Sequence, residues 1–272
     1  MTKDPELVQI CLPTYNGAAH LAEALDSLLA QTHQNIEITI MDNASTDETP
    51  AIARHYEGKD ARIRYFRAQE FVCATDNWNR AFRKLDSQRS RFFMWASDDD
   101  LWSQNYIEKL LGPLRSDEGL ALSYSWFDSI ESNGHLSVVS GYRSIFPIGS
   151  AFKRVRSLIR TGQYCAIYGI TRFSAISWEP CLADVTFGAD LWYMIQLCDA
   201  GRFEITKEPL FFKRAGGISA TNDDPSASRD PRVVWNIGKA DWTAISKLHF
   251  NVLTKLYIYN RLRISAKLLY PQ

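Results

Sequence analysis

Residues 91–100 read RFFMWASDDD, an apolar run that ends in three consecutive carboxylates. The apolar part is typical of a buried β-strand, which we expect at residues 91–96. Asp98, Asp99 and Asp100 then follow its carboxyl end, at the edge where open α/β sheets bind their ligands. Because adjacent carboxylates repel one another, burying them requires a cation or strong donors. The run therefore predicts a Mg²⁺ or Mn²⁺ site, since these hard cations prefer carboxylate oxygens and share them with phosphates. The alternative is a solvated acidic cap for a helix that begins near Ser103.

The chain on either side of this run alternates between strand and helix patterns. We predict strands at residues 7–12, 36–41, 62–66 and 91–96, and helices at residues 21–29, 49–56 and 77–85. We expect Pro13 to end the first strand. This alternation predicts a doubly wound, mostly parallel, Rossmann-like α/β sheet. Later segments predict a strand at 120–126, loops or a hairpin at 128–150, a helix at 187–200, and short strands at 203–205 and 210–213.

Two further polar clusters follow predicted strands, at residues 13–16 (PTYN) and 42–47 (DNASTD). Tyr15 could stack on a nucleobase, or it could pack on the core as a loop aromatic. Asp42 could accept a hydrogen bond from a base or a ribose, or it could cap the next helix. Since parallel strands end at one edge of a sheet, these clusters and the aspartate run predict a site for a nucleotide diphosphate.

The composition limits the classes of function. The 272 residues are 46% apolar, which is enough for a large core, and 31 basic residues balance 31 acidic ones. A net charge of zero argues against a nucleic-acid partner, which requires a basic surface. The five cysteines form no CxxC pair and are typical of reduced thiols in a cytoplasmic protein. No window of about 18 apolar residues occurs, so we expect no membrane-spanning segment.

Residues 221–272 form a polar loop followed by a basic tail. From residue 242 onward the chain has no acidic residue but has five cations, Lys247, Lys255, Arg261, Arg263 and Lys267. Leucine and tyrosine residues between them predict an amphipathic helical tail that binds the anionic inner face of the cell membrane. The alternative is a helix that packs on the domain or on a second subunit, which would make a homodimer.

Five segments, taken in order, resemble the family 2 glycosyltransferases with the GT-A fold. They are PTYN at 13–16, MDNASTD at 41–47, NWNRA at 77–81, WASDDDL at 95–101, and GADLW at 188–192 with EPLFFKR at 208–214. The resemblance implies a GT-A domain at residues 1–220. Residues 1–126 would form its nucleotide-binding half and residues 127–220 its acceptor-binding half.

The resemblance also implies roles for individual residues. Implied nucleotide contacts are Pro13, Thr14, Tyr15, Asn16, Asp42, Asn43, Ser45, Asn77, Asp98 and Asp99. Among these, Asp42 would accept from the N3–H of uracil or thymine, and Asp98 would face the ribose. Asp100 would hold Mn²⁺ or Mg²⁺. Asp190 would be the catalytic base of a direct displacement that inverts the anomeric centre.

Two positions depart from the family pattern, because Ala189 replaces a usual Glu and Ala215 replaces a common His. Lys213 or Arg214 could contact the diphosphate instead. Candidate acceptor contacts are Tyr168, Arg172, Trp178 and Trp192, although core packing is the usual role of a tryptophan.

The resemblance implies transfer of a hexose from a UDP- or dTDP-sugar to a saccharide acceptor, expected to be lipid-linked, in surface polysaccharide biosynthesis. One alternative is a non-catalytic relative that binds nucleotide-sugars, which Ala189 and Ala215 keep open. The other is a sugar-nucleotide pyrophosphorylase, which needs a Gly-rich loop where this chain has PTYN, and it is disfavoured.

Overall fold

A computed structural model describes residues 6–139, 149–161, 164–176 and 189–215, together with Lys255 and Ile258. The strands are β1 (Val8–Thr14), β2 (Ile36–Asp42), β3 (Ile63–Arg67), β4 (Phe92–Trp95), β5 (Leu101–Trp102), β6 (Leu120–Ile130), β7 (Leu136–Ser137), β8 (Ile170–Arg172) and β9 (Arg202–Arg214). The α-helices are α1 (Leu21–Leu29), α2 (Thr49–Lys59), α3 (Ala74–Phe82), α4 (Tyr106–Ser116), α5 (Ala151–Thr161) and α6 (Ala189–Ala200). Short 3-10 helices cover Tyr164–Tyr168 and Phe173–Ala175.

The described strands form one sheet in the order β3-β2-β1-β4-β8-β6-β9-β5, and β7 pairs with β6. Strands β1 to β4 run parallel to their neighbours among themselves. Strand β8 is antiparallel to both β4 and β6, while β9 is parallel to β6 and antiparallel to β5. The predicted α/β architecture is confirmed, and the antiparallel pairs are confined to the half of the sheet beyond β4.

Helices cover both faces of the sheet, which explains why its strands read as continuous apolar runs. Ile10, Leu12 and Met94 lie on one face with apolar residues of α1, α2 and α4. Cys11 and Trp95 lie on the other face with residues of α3, α5 and α6. Because successive side chains of a strand point to opposite faces, each strand contributes to both cores.

Strand β1 continues through Pro13 to Thr14, so the prediction that Pro13 ends it is wrong. The Cys11 carbonyl accepts a hydrogen bond from the Ala96 N–H on the β4 side. The Thr14 carbonyl accepts one from the Asn43 N–H on the β2 side. Pro13 therefore faces the β4 side, where the pairing of β1 with β4 ends at Cys11. The missing N–H of proline costs no ladder hydrogen bond at this position.

Several element boundaries also differ from the prediction. The two short strands expected at 203–205 and 210–213 are one strand, β9, whose register with β6 shifts on both sides of the pair Trp126–Pro209. These irregularities accommodate the proline within a paired strand. Helix α3 begins at Ala74 instead of residue 77, and neither α5 nor the two-residue β5 was predicted. The hairpin expected within 128–150 is present as β6 and β7.

The basic tail lies outside the described residues except for Lys255 and Ile258, so its role stays a prediction. Among the helices that the structure describes, none combines the length and the hydropathy that crossing a membrane requires.

Candidate active site

Parallel pairing of β1, β2 and β4 brings the three predicted polar clusters to one edge of the sheet. Thr14 at the end of β1 lies opposite Asp42 at the end of β2, and Cys11 lies opposite Trp95 of β4. The Thr14 hydroxyl donates a hydrogen bond to Asp98 Oδ2. The first cluster and the aspartate run are therefore in direct contact.

The turn after β1 is joined to the turn after β2 by backbone and side-chain hydrogen bonds. Asn16 has a φ of 51°, a left-handed conformation that asparagine tolerates. Its N–H donates to Ser45 Oγ at 2.9 Å, and its Oδ1 accepts from the Thr46 N–H at 2.9 Å. Asn16 and Ser45, both predicted as nucleotide contacts, thus fix the shape of this edge.

Gly17 follows this turn and was not predicted as a site residue. A Cβ at this position would lie 2.3 Å from Asp98 Oδ2 and 2.7 Å from Thr14 Oγ1. Both distances are far shorter than any ordinary contact, so only glycine leaves the Thr14–Asp98 hydrogen bond undisturbed.

Asp42 is fully buried, and both of its oxygens have donors. The Ser45 N–H donates to Oδ1 at 2.8 Å, and the Tyr65 hydroxyl donates to Oδ2 at 2.6 Å. Arg67 Nε lies 3.5 Å from Oδ2. Burial and the Asp42 carboxylate raise the pKa of Tyr65, which therefore stays a donor. Tyr65 and Arg67 lie on β3 and were missed, because a strand pattern does not show which neighbour a polar side chain reaches.

A carboxylate offers about four acceptor positions, but the Asp42 side chain is fully buried, so a base N–H would reach it only after a local rearrangement. Its bond to Ser45 is also the turn-forming contact of the alternative interpretation. The structure thus shows the turn contact, and the contact of Asp42 with a base stays a prediction.

An aromatic surface lies beside Asp42. The Tyr15 ring packs against Phe71, with 4.8 Å between ring centroids, and Phe71 is 38% exposed. Asn43 holds this loop: its Nδ2 donates to the Val72 carbonyl at 2.7 Å, and its Oδ1 accepts from the Val72 N–H at 3.0 Å. Tyr15 thus packs on a second loop aromatic and not on the core.

Asn77 contacts β2 from helix α3. Its Nδ2 donates to the Met41 carbonyl at 3.0 Å. Its Oδ1 is buried and has no hydrogen-bond partner among the described residues. The side chain therefore anchors α3 just before Asp42, while one acceptor remains unused.

The aspartate run is not a solvated helix cap. Strand β5 separates it from α4, whose N-cap residue is Asn105. Burial raises the pKa of Asp98 to about 7, although the hydrogen bond from Thr14 lowers it. Burial also raises the pKa of Asp100 to about 7. Asp99 accepts from the Ser97 hydroxyl.

Asp100 has the properties of a metal ligand. Its side chain is fully buried, and Oδ1 accepts from the Arg214 N–H at 2.8 Å. Oδ2 is buried without a partner in the described part of the chain. No group of three or more His, Cys, Asp and Glu side chains within the described residues could hold a metal ion. The unpartnered Oδ2 of Asp100 nevertheless fits a Mg²⁺- or Mn²⁺-type cation, which needs only one or two protein carboxylates when substrate phosphates supply further oxygens.

The end of β9 places two cations beside the run. Arg214 Nε donates to the Asp99 carbonyl at 2.9 Å, and Arg214 Nη2 donates to Glu23 of α1 at 2.7 Å. Lys213 Nζ lies 5.9 Å from the centroid of the Tyr168 ring. Burial lowers the pKa of Lys213, but the nearby carboxylates, Asp100 first, raise it above its ordinary value. Lys213 is therefore protonated.

Asp190 lies in the first turn of α6, and burial raises its pKa above the ordinary value while Lys213 opposes that shift. Asp100 and Asp190 both raise the pKa of Lys213, and both also raise the pKa of Tyr168. The predicted metal ligand, the predicted base and Tyr168 are thus within electrostatic reach of Lys213, and we call the region around Lys213 the crevice.

Two candidate acceptor residues lie elsewhere. Arg172 is opposite Phe92, at the start of β4 and away from the aspartate run. Its guanidinium donates to the Leu120 carbonyl at 3.0 Å and to the Leu114 carbonyl at 2.6 Å. Trp192 is only 3% exposed and belongs to the core. Neither presents a surface to a sugar, and Trp178 lies outside the described residues.

A groove of about 430 Å³ lies on the α3 side of the sheet and not in this crevice. Its lining residues are Met41, Ala68, Gln69, Glu70, Arg80, Arg83 and Lys84. It contains none of the predicted site residues, so it does not define the candidate site.

A family model described as "Glycosyl transferase family 2" matches residues 9–175 of the chain. An uncharacterized glycosyltransferase of Rickettsia bellii (strain RML369-C) is 35% identical over 132 residues, which are 47% of this chain and 18% of that protein. The putative teichuronic acid biosynthesis glycosyltransferase TuaG of Bacillus subtilis (strain 168) is 29% identical over 134 residues, 49% of this chain and 52% of that protein. The matches span only 18% to 39% of the first five curated relatives.

Solved structures share the fold. S. aureus TarS 1-349 in complex with UDP-GlcNAc matches with a TM-score of 0.69 and 16% identity, over 92% of this chain and 69% of that chain. The mannosyltransferase PcManGT from Pyrobaculum calidifontis, in complex with GDP-Man and Mn²⁺, matches with a TM-score of 0.60 and 14% identity, over 99% of this chain and 73% of that chain. At these identities the likeness shows the fold alone, and it confirms the predicted GT-A fold.

Proposed function

The chain belongs to glycosyl transferase family 2, and from this premise we propose that it transfers a hexose from a UDP- or dTDP-sugar to a saccharide acceptor with inversion. One observation carries the proposal. Oδ2 of Asp100, buried and without a partner among the described residues, and the partly buried carboxyl of Asp190 belong to two carboxylates that both act electrostatically on one lysine, Lys213. A donor diphosphate at Asp100 would thus hold its anomeric carbon near Asp190.

The nucleotide would bind at the carboxyl edge of β1 and β2. The Tyr15–Phe71 surface would stack on the base, Asp42 would accept from its N3–H, and Asp98 would contact the ribose. UDP-GlcNAc in the TarS complex supports a nucleotide-sugar donor. Uracil and thymine present the same N3–H, so Asp42 alone does not separate UDP from dTDP.

Asp100 would hold Mn²⁺ or Mg²⁺ together with the donor phosphates, and Asp99 would lie beside it. When bound, the metal neutralises charge that develops on the leaving diphosphate. Lys213, which its neighbours keep protonated, would add a second positive charge there. It would take the place of the histidine that many members have where this chain has Ala215.

Asp190 would be the base of the transfer. Its carboxylate accepts the proton of the acceptor hydroxyl as the acceptor oxygen bonds to the anomeric carbon, and the bond from that carbon to the diphosphate oxygen breaks. Attack opposite to the leaving group inverts the configuration. A raised pKa makes the Asp190 carboxylate a stronger base than an exposed aspartate. Tyr168 would line the acceptor side of the crevice.

We further propose that residues 1–126 form the nucleotide half and residues 127–220 the acceptor half. A lipid-linked acceptor of surface polysaccharide assembly, on the cytoplasmic face of the membrane, is the acceptor class that fits. The description of TuaG as a teichuronic acid biosynthesis glycosyltransferase supports this choice.

Donor hydrolysis tests the proposal without knowledge of the acceptor. The full chain should release UDP or dTDP slowly from a panel of nucleotide-sugars with Mn²⁺, and EDTA should stop the release. A thermal-shift screen of the same panel would first identify the donor that stabilises the chain. Asp100→Ala should lose metal-dependent nucleotide binding.

Asp190→Asn separates binding from transfer. It should keep donor and Mn²⁺ affinity but lose about 100-fold or more in transfer to the acceptor, because it removes the base. Asp76→Asn is a matched control, since Asp76 also lies in a first helical turn but is exposed. Normal transfer by Asp190→Asn would show that the base assignment is wrong.

The second candidate is a nucleotide-sugar-binding relative without catalysis, which Ala189 and Ala215 favour. This candidate predicts donor binding in the thermal-shift screen with neither hydrolysis nor transfer. A pyrophosphorylase would instead form a nucleotide-sugar from a nucleoside triphosphate and a sugar phosphate. The PTYN segment at 13–16 still argues against that reaction.

A further inference from the structure

We propose that Arg214 is a positioning residue that fixes Asp100 as a metal ligand and does not contact the diphosphate. The inference deepens the proposed function and rests on its metal centre. It assigns different roles to the two cations at the end of β9. Lys213 would contact the diphosphate, and Arg214 would hold the aspartate run in place.

Three hydrogen bonds join Arg214 to the run and to α1. Its backbone N–H donates to Asp100 Oδ1 at 2.8 Å, and its Nε donates to the Asp99 carbonyl at 2.9 Å. Its Nη2 donates to Glu23 Oε2 at 2.7 Å. The side chain is only 16% exposed. One residue thus contacts both the backbone and a side chain of the run and anchors them to a helix.

The bond to Oδ1 comes from the backbone N–H of residue 214, so the side chain of Arg214 acts on the run through the Asp99 carbonyl. Oδ2 of Asp100 is buried and has no partner among the described residues. Oδ1 already accepts one hydrogen bond, so Oδ2 is the oxygen whose acceptor positions are both open to a cation. Loss of the Arg214 contact to the Asp99 carbonyl would free the preceding peptide to rotate, and the three carboxylates would move apart under their mutual repulsion.

The strand geometry separates the two cations. Successive side chains of a strand point to opposite faces, so Lys213 and Arg214 do not face the same side of β9. Lys213 lies over the Tyr168 ring, while Arg214 reaches Glu23 of α1. The Arg214 guanidinium is therefore directed toward the Asp99 carbonyl and α1, while Lys213 is on the side of Tyr168.

Glu23 sets the orientation of the guanidinium. Its side chain is 60% exposed, so the ion pair itself contributes little stability. It does fix Nη2, and because the guanidinium is planar, this also fixes the direction in which Nε donates. Lysine at position 214 could keep one contact but not both.

Binding of Mn²⁺ alone to the full chain, measured by electron paramagnetic resonance of the free ion, tests the proposal. Arg214→Gln should weaken Mn²⁺ affinity about tenfold or more, as loss of an outer partner of a metal ligand typically does. Arg214→Lys should fall between it and the wild type. Arg202→Gln is the matched control, because Arg202 lies at the other end of β9 and pairs with Asp117. It should bind Mn²⁺ like the wild type.

Glu23→Gln tests the positioning role of Arg214 if Arg214→Gln does not fold. This exposed substitution should weaken Mn²⁺ affinity by a smaller factor, about two- to threefold, since it removes only the outer anchor. If Arg214→Gln does fold, adding Glu23→Gln to it should have no further effect on Mn²⁺ affinity, because the two residues act as one unit.

Affinity for UDP in EDTA separates positioning from diphosphate contact. Positioning predicts that Arg214→Gln keeps wild-type UDP affinity without metal. Lost UDP affinity with unchanged Mn²⁺ affinity would overturn the proposal, as would equal Mn²⁺ affinity of Arg214→Gln, Glu23→Gln and wild type. Failure of the wild type itself to bind Mn²⁺ would instead remove the metal centre of the proposed function.

Discussion

Gly17 has no space for a side chain beside Asp98. Substitution by alanine would place a methyl group 2.3 Å from Asp98 Oδ2, so the carboxylate or the turn must move. We expect Gly17→Ala to lower the free energy of unfolding by about 1–3 kcal/mol through overpacking. We also expect weaker nucleotide binding, measured as a smaller thermal shift with UDP.

Gly58→Ala is the control for that substitution. Gly58 lies in α2, where a Cβ would meet no atom within 4 Å, and alanine favours helix. We expect a neutral or slightly stabilising effect and an unchanged thermal shift with UDP. Equal behaviour of the two variants would contradict the role given to Gly17.

The pH dependence of stability follows from Asp98 and Asp100. Burial raises the pKa of both to about 7, whereas an unfolded aspartate titrates near 3.9. The folded state therefore binds protons more tightly, and this stabilisation is fully present below about pH 4 and lost as the pH rises through 7. In EDTA the midpoint of thermal unfolding should fall between pH 5.5 and 8.

Asp100→Asn should flatten that pH dependence, because it removes one of the buried carboxyls whose pKa is raised to about 7. Excess Mn²⁺ should restore stability at pH 8 in the wild type but not in the variant. Groups with lowered pKa values, such as Glu6 and Asp60, lose their stabilisation only below this window. A wild type whose stability rises from pH 5.5 to 8 would contradict the prediction.

At the scale of elements, Arg172 joins β8 to the end of α4 and the start of β6. Its guanidinium donates to the carbonyls of Leu114, Asp117 and Leu120, and the side chain is 8% exposed. Arg172→Gln should cost about 3 kcal/mol of unfolding free energy, because buried carbonyls lose a charged donor. Denaturant unfolding measures this loss.

The same variant tests whether Arg172 contacts the acceptor. A structural role predicts an unchanged KM for donor and acceptor at a temperature where the variant is folded. Arg156→Gln on the exposed face of α5 is the control and should unfold like the wild type. A raised acceptor KM with full stability would support the contact expected from the resemblance.

At the scale of the whole molecule, the carboxyl edge of the sheet combines residues from both halves of the chain. Residues at the ends of β1, β2 and β4 come from the first half, while Asp190 and Arg214 come from the second. The antiparallel pairing of β5 with β9 closes this edge, since Leu101 lies opposite Phe212. Asp100 and Arg214 are neighbours for that reason.

The role of the basic tail is also a question about the whole molecule. Truncation after Asp241 should abolish pelleting with anionic liposomes if the tail binds membranes through its cations and apolar residues. The control is pelleting with neutral liposomes, which the full chain should not show. Unchanged pelleting of the truncated chain would contradict the membrane role and leave the subunit-contact alternative.

The sequence by itself determined the α/β class, the positions of the first four strands along the chain and the edge of the sheet at which the polar clusters meet. Those features depend on the spacing of apolar residues along the chain and on the rule that parallel sheets bind ligands at the carboxyl ends of their strands. Both can be applied to the sequence alone. The family resemblance added the GT-A fold, which the structural comparisons confirm.

Only the tertiary structure decided which side chains face one another. Tyr65 and Arg67 reach Asp42 from β3, Gly17 makes room for Asp98, and Arg214 holds the run across 114 positions of sequence. Contacts of this kind depend on strand register and on side-chain direction, and no local pattern records either. The same reason explains Arg172, whose charge and position along the chain gave no sign that it binds the carbonyls at the end of a helix.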